Sequence, residues 1–586
     1  MVHALTIIVC ATLAMSGAVW GGAMPPADVK GQDPFDRVES IGELRELESQ
    51  LRAVAERMRP TVVLLRLGGI RGASTGSGVV LTSDGLVATC GHVGERAGRR
   101  VNATLWDGTV LSGKTLGQAN IGALDCGLIQ LDAEGRDLQA ASLGTNRDLK
   151  LGDWLVAMGY TQGPPEEPRP PLVRIGRVLS LDDDELLFDA PIDAGDSGGP
   201  SFNLRGEVVA INSRCGRQSW ENVATPIDRL RERMFQFRDG TDESMTVLPP
   251  AEDAPENIRT NFARGGSDDG RMAVQRMLPL EEIVAQARES MLRVMNGKAS
   301  CAYATVIDGD GHAVTKRSQL PLGNVGASVE LESADGRAFT GRVVATDPAL
   351  DLAFLGIDHC TLPPIQWRTN QRMVPGQAVL TPRLGKNAPA LGFAAIESRQ
   401  SERDPLSMPY LGVRTEPATK EERKAAQCEA ALRVVEVVPD SGASAAGVAL
   451  GDLILSIDGK ELDGRTGLRR VIVEHAPGDV VRLAVLRGEQ RLELDATLRL
   501  RSSSEGSRES RRGNTMTPIS GVSSGFGEVL AHDAIVWPEQ CGGPVLDLDG
   551  RAVGLNIARF DRTATHALDA KRVMKSAEKC LSKLRE

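Results

Sequence analysis

The chain repeats itself in one order over most of its length. Ser197-Gly198-Gly199-Pro200 through Asn212 aligns without a gap with Cys541-Gly542-Gly543-Pro544 through Asn556. Upstream, TGSGVVLTSDGLVATCGHV has its echo in CAYATVIDGDGHAVTKRSQL, and the segment around Asp125 has its echo in Ala349-Leu350-Asp351-Leu352-Ala353-Phe354-Leu355. Such a repeat requires two copies of one fold. The 586 residues allow about three or four domains of ~150 residues. Apolar and charged contents of 41% and 25% suit globular domains with real cores. A net charge of −10 and only 3% aromatic residues weigh against nucleic-acid binding.

The first copy contains Gly195-Asp196-Ser197-Gly198-Gly199-Pro200. Glycines on both sides of a serine allow a tight turn whose N–H groups can converge beside the hydroxyl. A serine nucleophile needs a base, and the base needs a group to orient it. His92 is the only histidine between residues 4 and 311, and it follows an apolar strand pattern. Asp125 opens the apolar run Ala123–Leu131, where a carboxylate needs a partner such as an imidazole N–H. Read separately, these are also an ordinary turn, a structural histidine and a strand-end aspartate. Read together, they are a Ser197, His92, Asp125 triad.

The order His92, Asp125, Ser197, with TGSGVVLTSDGLVATCGHV, ALDCGLIQL, GDWLVAMGY and APIDAGDSGGPSFNLRGEVVAIN, resembles chymotrypsin-fold serine proteases, most closely the HtrA (Deg) family. The resemblance spans about residues 60–235. It implies paired six-stranded β-barrels with the triad in the cleft between them, and no cofactor or metal. It places the oxyanion donors at the N–H groups of Gly195 and Ser197. It also puts Pro191, six residues before the serine, at the base of the primary specificity pocket, which points to a small or apolar residue before the cut. Asp196 departs from the family's usual asparagine.

In the second copy Ser318 falls where His92 stood, Cys541 replaces the serine and Glu539 replaces Gly195, while Asp351 is kept. That copy is expected to be degenerate, serving packing or peptide binding without cleavage. Between its halves, Tyr410-Leu411-Gly412-Val413 and VVEVVPDSGASAAGVALGDLILSIDGKEL resemble a PDZ domain of the HtrA type. The resemblance implies that the loop Tyr410, Leu411, Gly412, Val413 binds a peptide C-terminal carboxylate, with the next strand edge taking the peptide by β-augmentation. A groove blocked or used as an internal contact is the alternative.

The expected fold is therefore mainly β: two chymotrypsin-like double β-barrel domains, the second interrupted by an inserted PDZ domain of α+β type. The expected layout is a signal peptide at 1–23, a protease domain with an N-terminal helix at 36–235, and a Pro/Gly-rich linker at 236–275. The degenerate domain follows at 276–405 and 516–586, with the PDZ domain at 406–500 and a second linker at 501–515. The apolar run 4–20, followed by small residues, marks export, with membrane anchoring as the alternative. The eight cysteines beyond that run have long, irregular spacings and no CxxC, so no zinc site is expected. Cys90 and Cys126 flank the proposed catalytic residues. They could pair, but free buried thiols are the simpler reading.

The function expected is that of an exported serine endopeptidase acting on unfolded or damaged polypeptides, with peptide C-termini held at the PDZ groove. Members of the family commonly form trimers, so a homo-oligomer is carried as an expectation. The alternative is a non-hydrolytic, chaperone-like pseudoprotease.

Overall fold

The computed structural model describes residues 40–68, 74–121, 124–161, 170–216, 219, 221–244, 280–385, 389–401, 409–439, 441–462, 465–472, 475, 478–500 and 518–582. The expected signal peptide and the 501–515 linker lie outside these residues, as does the 236–275 linker from 245 onward. Among the described residues no helix is long and apolar enough to cross a membrane.

The helix Ile41–Met58 begins where the Ser40 side chain accepts the Glu43 N–H at 3.2 Å. It ends in a 3₁₀ turn at Arg59-Pro60-Thr61. Its buried stripe, Leu44, Leu47, Leu51, Val54, Ala55 and Met58, follows three- and four-residue steps.

Two antiparallel barrels follow. The first closes through strands Val62–Leu67, Ser74–Val80, Leu86–Thr89, Leu124–Leu131, Val110–Ile121 and Arg100–Thr104. The second closes through Trp154–Gly159, Leu172–Leu181, Leu186–Phe188, Asn222–Pro226, Val208–Cys215 and Pro200–Phe202. Closure removes the exposed strand edges that an open sheet would present. The helix Ile227–Arg238 completes this copy, and the strand Asp242–Ser244 adds to Val110–Ile121 in parallel. Ordered structure thus continues for several residues into the stretch expected to be linker.

The second copy repeats the plan with two more closed six-stranded barrels. Within the second of these, the PDZ-like sheet is inserted between strands Ala390–Ser401 and Gly527–His532. The matching strands of copy 1, Leu172–Leu181 and Leu186–Phe188, are joined by a short turn. A hairpin turn tolerates an insertion of this size because its two ends already lie side by side. The inserted sheet runs Val413–Pro417, Leu432–Val437, Leu453–Ile457, Val480–Arg487, Gln490–Thr497, around its own core of Leu432, Ile454, Val481, Leu483 and Val485. Arg317 of copy 2 pairs with Asp479 of this domain, both buried.

The two copies share one core. Leu51 and Leu65 of copy 1 belong to the same buried cluster as Leu380, Phe393 and Leu546 of copy 2. Trp154 meets Phe393 edge-on at 6.0 Å between ring centroids. The N-terminal helix touches both copies, with Arg45 paired to Asp549 and Arg57 donating to the Arg205 carbonyl.

Candidate active site

The interface between the two barrels of copy 1 brings His92, Asp125 and Ser197 into one neighbourhood. His92 lies on the short helix Gly91–Gly94, just after the strand Leu86–Thr89. Asp125 grips it at two points: the His92 N–H donates to Oδ1 at 3.0 Å, and Nδ1 stands 2.7 Å from Oδ2. Asp125 sits on a strand of the first barrel and is held by two strands of the second. The Ser213 hydroxyl donates to Oδ2 at 2.6 Å, and the Thr225 hydroxyl donates to the Asp125 carbonyl at 3.0 Å. Burial alone would raise the Asp125 pKa, but the His92 charge and these hydrogen bonds outweigh it and hold the carboxyl far below its ordinary value. For His92, burial opposes the charged form, yet the Asp125 charge and hydrogen bond keep its pKa above the ordinary 6.5.

Ser197 sits in a turn that only glycine permits on its N-terminal side. Gly195 has φ +98°, and a Cβ there would stand 2.3 Å from the Tyr160 carbonyl oxygen. Ser77 clamps the turn. Its N–H donates to the Ser197 carbonyl at 2.8 Å and its hydroxyl to the Gly195 carbonyl at 2.7 Å. Among the described residues, the N–H groups of Gly195 and Ser197 take no protein acceptor. The Ser197 hydroxyl donates to the Ser213 carbonyl at 2.9 Å, so it is parked beside the His92–Asp125 pair rather than bonded to it. Ser77, Ser213 and Thr225 were not legible in the sequence.

All eight described cysteines are free, and Cys90, Cys126 and Cys541 are buried. The Cys90 thiol donates to the Asn212 carbonyl at 2.8 Å. Burial raises the pKa of both Cys90 and Cys126, keeping them as thiols. Cys90, His92 and Asp125 lie close enough to share a cation. The Nδ1 of His92 is already committed to Asp125 and the Cys90 thiol to a carbonyl, so this donor set does not fit a resident metal.

In copy 2 the turn keeps its shape after the nucleophile position and loses it before. Gly542 N–H donates to Asn556 O at 2.7 Å, matching Gly198 to Asn212 at 2.8 Å. Glu539 lies in a 3₁₀ turn, Pro538–Gln540, and this turn consumes the Cys541 N–H, which donates to the Pro538 carbonyl at 3.0 Å. A residue with a Cβ cannot comfortably take the φ of Gly195, so the chain winds up instead. Chain returning from the inserted domain then covers the site. The Ser520 N–H donates to Arg559 O at 2.9 Å, and its hydroxyl accepts the Arg559 N–H at 3.0 Å and lies 3.7 Å from Cys541 Sγ. Burial raises the Cys541 pKa, although Lys316 opposes this.

In the inserted domain Gly412 has φ +91°, and the strand Val413–Pro417 ends the sheet with one edge unpaired among the described residues. The carbonyls of Leu411 and Gly412 accept from Ala443 and Val438. Their N–H groups take no acceptor among the described residues. Tyr410 pairs with Arg499 in a two-stranded ribbon.

Comparison with known proteins agrees with this architecture. A trypsin-like peptidase domain matches residues 76–211 and again 302–444, and a PDZ domain matches 409–498. A probable periplasmic serine endoprotease DegP-like of Pseudomonas fluorescens is 35% identical over 35% of this chain and 45% of its own length. Its namesake in Halomonas elongata is 27% identical over 68% of this chain and 74% of its own length. That in Rhizobium meliloti is 26% identical over 69% and 71%. The chain belongs to the HtrA-like, trypsin-fold serine endopeptidases that carry a PDZ domain.

Proposed function

We propose that the chain is an exported endopeptidase that cleaves unfolded or damaged polypeptides through Ser197, His92 and Asp125. The observation that carries this reading is the two-point grip of Asp125 on His92, reinforced by Ser213. With Nδ1 bound to Asp125, Nε2 is the nitrogen left to act as base. Rotation of the Ser197 hydroxyl from the Ser213 carbonyl toward Nε2 starts the reaction. His92 takes the proton as Oγ attacks a peptide carbonyl, and Asp125 stabilises the imidazolium. The N–H groups of Gly195 and Ser197 receive the oxyanion, each worth about 3 kcal/mol of barrel-cleft stabilisation of the transition state. His92 then protonates the leaving amine, and water releases the acyl group by the same steps in reverse order.

Recognition is shared with the inserted PDZ domain. The unoccupied N–H groups of Leu411 and Gly412 suit a C-terminal carboxylate, Tyr410 and Val413 flank them, and the free edge of Val413–Pro417 suits an extended peptide. The relatives named periplasmic support an extracytoplasmic location. The non-hydrolytic alternative fits copy 2 alone, whose oxyanion donor is consumed and whose cleft is covered.

The test is labelling with a serine-directed fluorophosphonate and digestion of casein. Wild type is expected to do both and Ser197→Ala neither. Wild type that takes no Ser197-dependent label and leaves casein intact overturns the reading.

A further inference from the structure

Two buried arginines hold the backbone at Pro191 and Ile192, the segment that the family resemblance puts at the base of the copy 1 specificity pocket, and they come from different copies. Arg174, on the strand Leu172–Leu181, donates from Nε to the Pro191 carbonyl at 3.1 Å. Arg562, in the turn between strands Ala552–Arg559 and Thr565–Asp569 of copy 2, donates to the next carbonyl, that of Ile192. The same Nη1 lies 3.0 Å from Asn222 Oδ1, and Nη2 lies 3.4 Å from the Glu221 carbonyl. Asn222 Oδ1 also accepts the Ile192 N–H at 3.3 Å. One guanidinium therefore ties together two stretches of copy 1, the one ending at the Ser197 turn and the one entering the last barrel strand.

This is a built contact. Arg174 and Arg562 are 1% and 3% exposed. The turn that carries Arg562 is stiffened by Asp561, whose Oδ1 accepts the Thr563 N–H, the Thr563 hydroxyl and the Ala564 N–H at 2.8, 3.0 and 2.8 Å. Arg174 Nη2 reaches Thr563 Oγ1 at 3.3 Å, linking the two arginines through that turn. Arginine suits the task because its planar fork can satisfy several fixed acceptors at once, which a lysine point charge cannot.

We propose that Arg562 is a specificity-determining residue of the copy 1 pocket, so that the degenerate copy completes a substrate site copy 1 does not form alone. The inference rests on the reading of Ser197 as the nucleophile. By spacing the 191–193 segment from Asn222, Arg562 sets how deep a side chain can enter. Its charge is spent on carbonyls and an amide, leaving a floor suited to a small, uncharged residue before the cut.

The test uses the full chain and fluorogenic peptides that differ only in the residue before the cut: Ala, Val, Leu and Phe. In Arg562→Gln the wild-type preference in kcat/KM for the smallest over the largest residue is expected to fall at least tenfold, mainly through KM. Arg562→Lys is expected to lie between. Ratios within twofold of wild type in both variants overturn the proposal. If Arg562→Gln does not fold, as read by thermal unfolding, Thr563→Val is expected to move the ratio in the same direction, and an unchanged ratio there overturns it. A wild type without Ser197-dependent labelling overturns the nucleophile reading instead. Hydrogen exchange over residues 191–194 still reads Arg562 in that case: faster exchange in Arg562→Gln is expected, and equal exchange overturns its role.

Discussion

Ser318 meets Asp351 through the same two contacts that join His92 to Asp125. The Ser318 N–H donates to Oδ1 at 2.9 Å and its hydroxyl to Oδ2 at 2.6 Å. Lys316, wholly buried at the place of Cys90, stands 3.0 Å from the same Oδ2 and donates to the Val522 and Ile557 carbonyls at 2.7 and 2.6 Å. The carboxylate has kept its socket, and a serine and a lysine now fill it.

Restoring two side chains should therefore not restore chemistry. In a Ser197→Ala background, Ser318→His combined with Cys541→Ser is expected to take no fluorophosphonate label, because the Cys541 N–H stays bonded to Pro538 and Ser520 stays over the cleft. In-gel fluorescence reads the outcome. A label on residue 541 would show that the covering segment leaves the site open.

Activity should rise with pH through a midpoint above 6.5. A base must be neutral to accept the Ser197 proton, and Asp125 holds His92 charged to higher pH than a free imidazole. Asp125→Asn removes the charge and puts an NH2 donor where Oδ2 accepted from His92 Nδ1. The midpoint is expected to move down, and kcat to fall by about 10⁴ as the wrong tautomer is stabilised. A kcat/KM profile from pH 5 to 9 measures both.

Glu48, on the N-terminal helix, is pushed up to about 6 by burial, with Arg52 opposing and Asp547 adding to the shift. A carboxyl whose folded pKa exceeds its unfolded value favours the fold when protonated. That contribution is full below about 4.5 and is lost as pH rises through 6. At pH 7 the partly buried charge therefore lowers stability. Glu48→Gln is expected to raise Tm at pH 7 and leave it unchanged at pH 4, as read by calorimetry.

Gly412 holds φ +91°, and a Cβ there would stand 2.0 Å from Ser441 Cβ. Wild type is expected to bind a peptide with a free C-terminal carboxylate at least tenfold more tightly than its amide. Gly412→Ala is expected to abolish that difference, measured by fluorescence anisotropy. Equal affinity for both peptides in wild type would mean the loop does not hold a carboxylate.

What could be read in the sequence was what local pattern encodes. Strand alternation and the leucine stripe of the N-terminal helix are set by neighbours a few positions away, so the barrels and the helix were foreseeable, whereas the start of that helix at Ile41, capped by Ser40, was not. His92, Asp125 and Ser197 were legible because each sits in a recurring context at a strand end or a glycine turn. Arg562 was not, because it lies 370 residues from Ile192 and nothing near it marks a pocket. Reading the pocket base from Pro191 alone took in a single side chain, whereas the structure caps the backbone there with two guanidinium groups. The covering of copy 2 by Ser520 was equally invisible, since that segment follows a stretch with no periodicity of its own.

The N-terminal helix also has a consequence in time. It is the first described element in chain order, yet Asp549, the partner of its Arg45, lies 504 residues further on. Copy 2 supplies Arg562 later still. A chain emerging from its N-terminus carries a leucine-lined helix whose seat is unfinished until synthesis is almost over. Domains made early can usually settle before the rest appears. Here the first copy and its helix also make contacts with the last strands of the second, so a shortened product would lack both the Asp549 partner of Arg45 and the arginine that holds the Ile192 carbonyl.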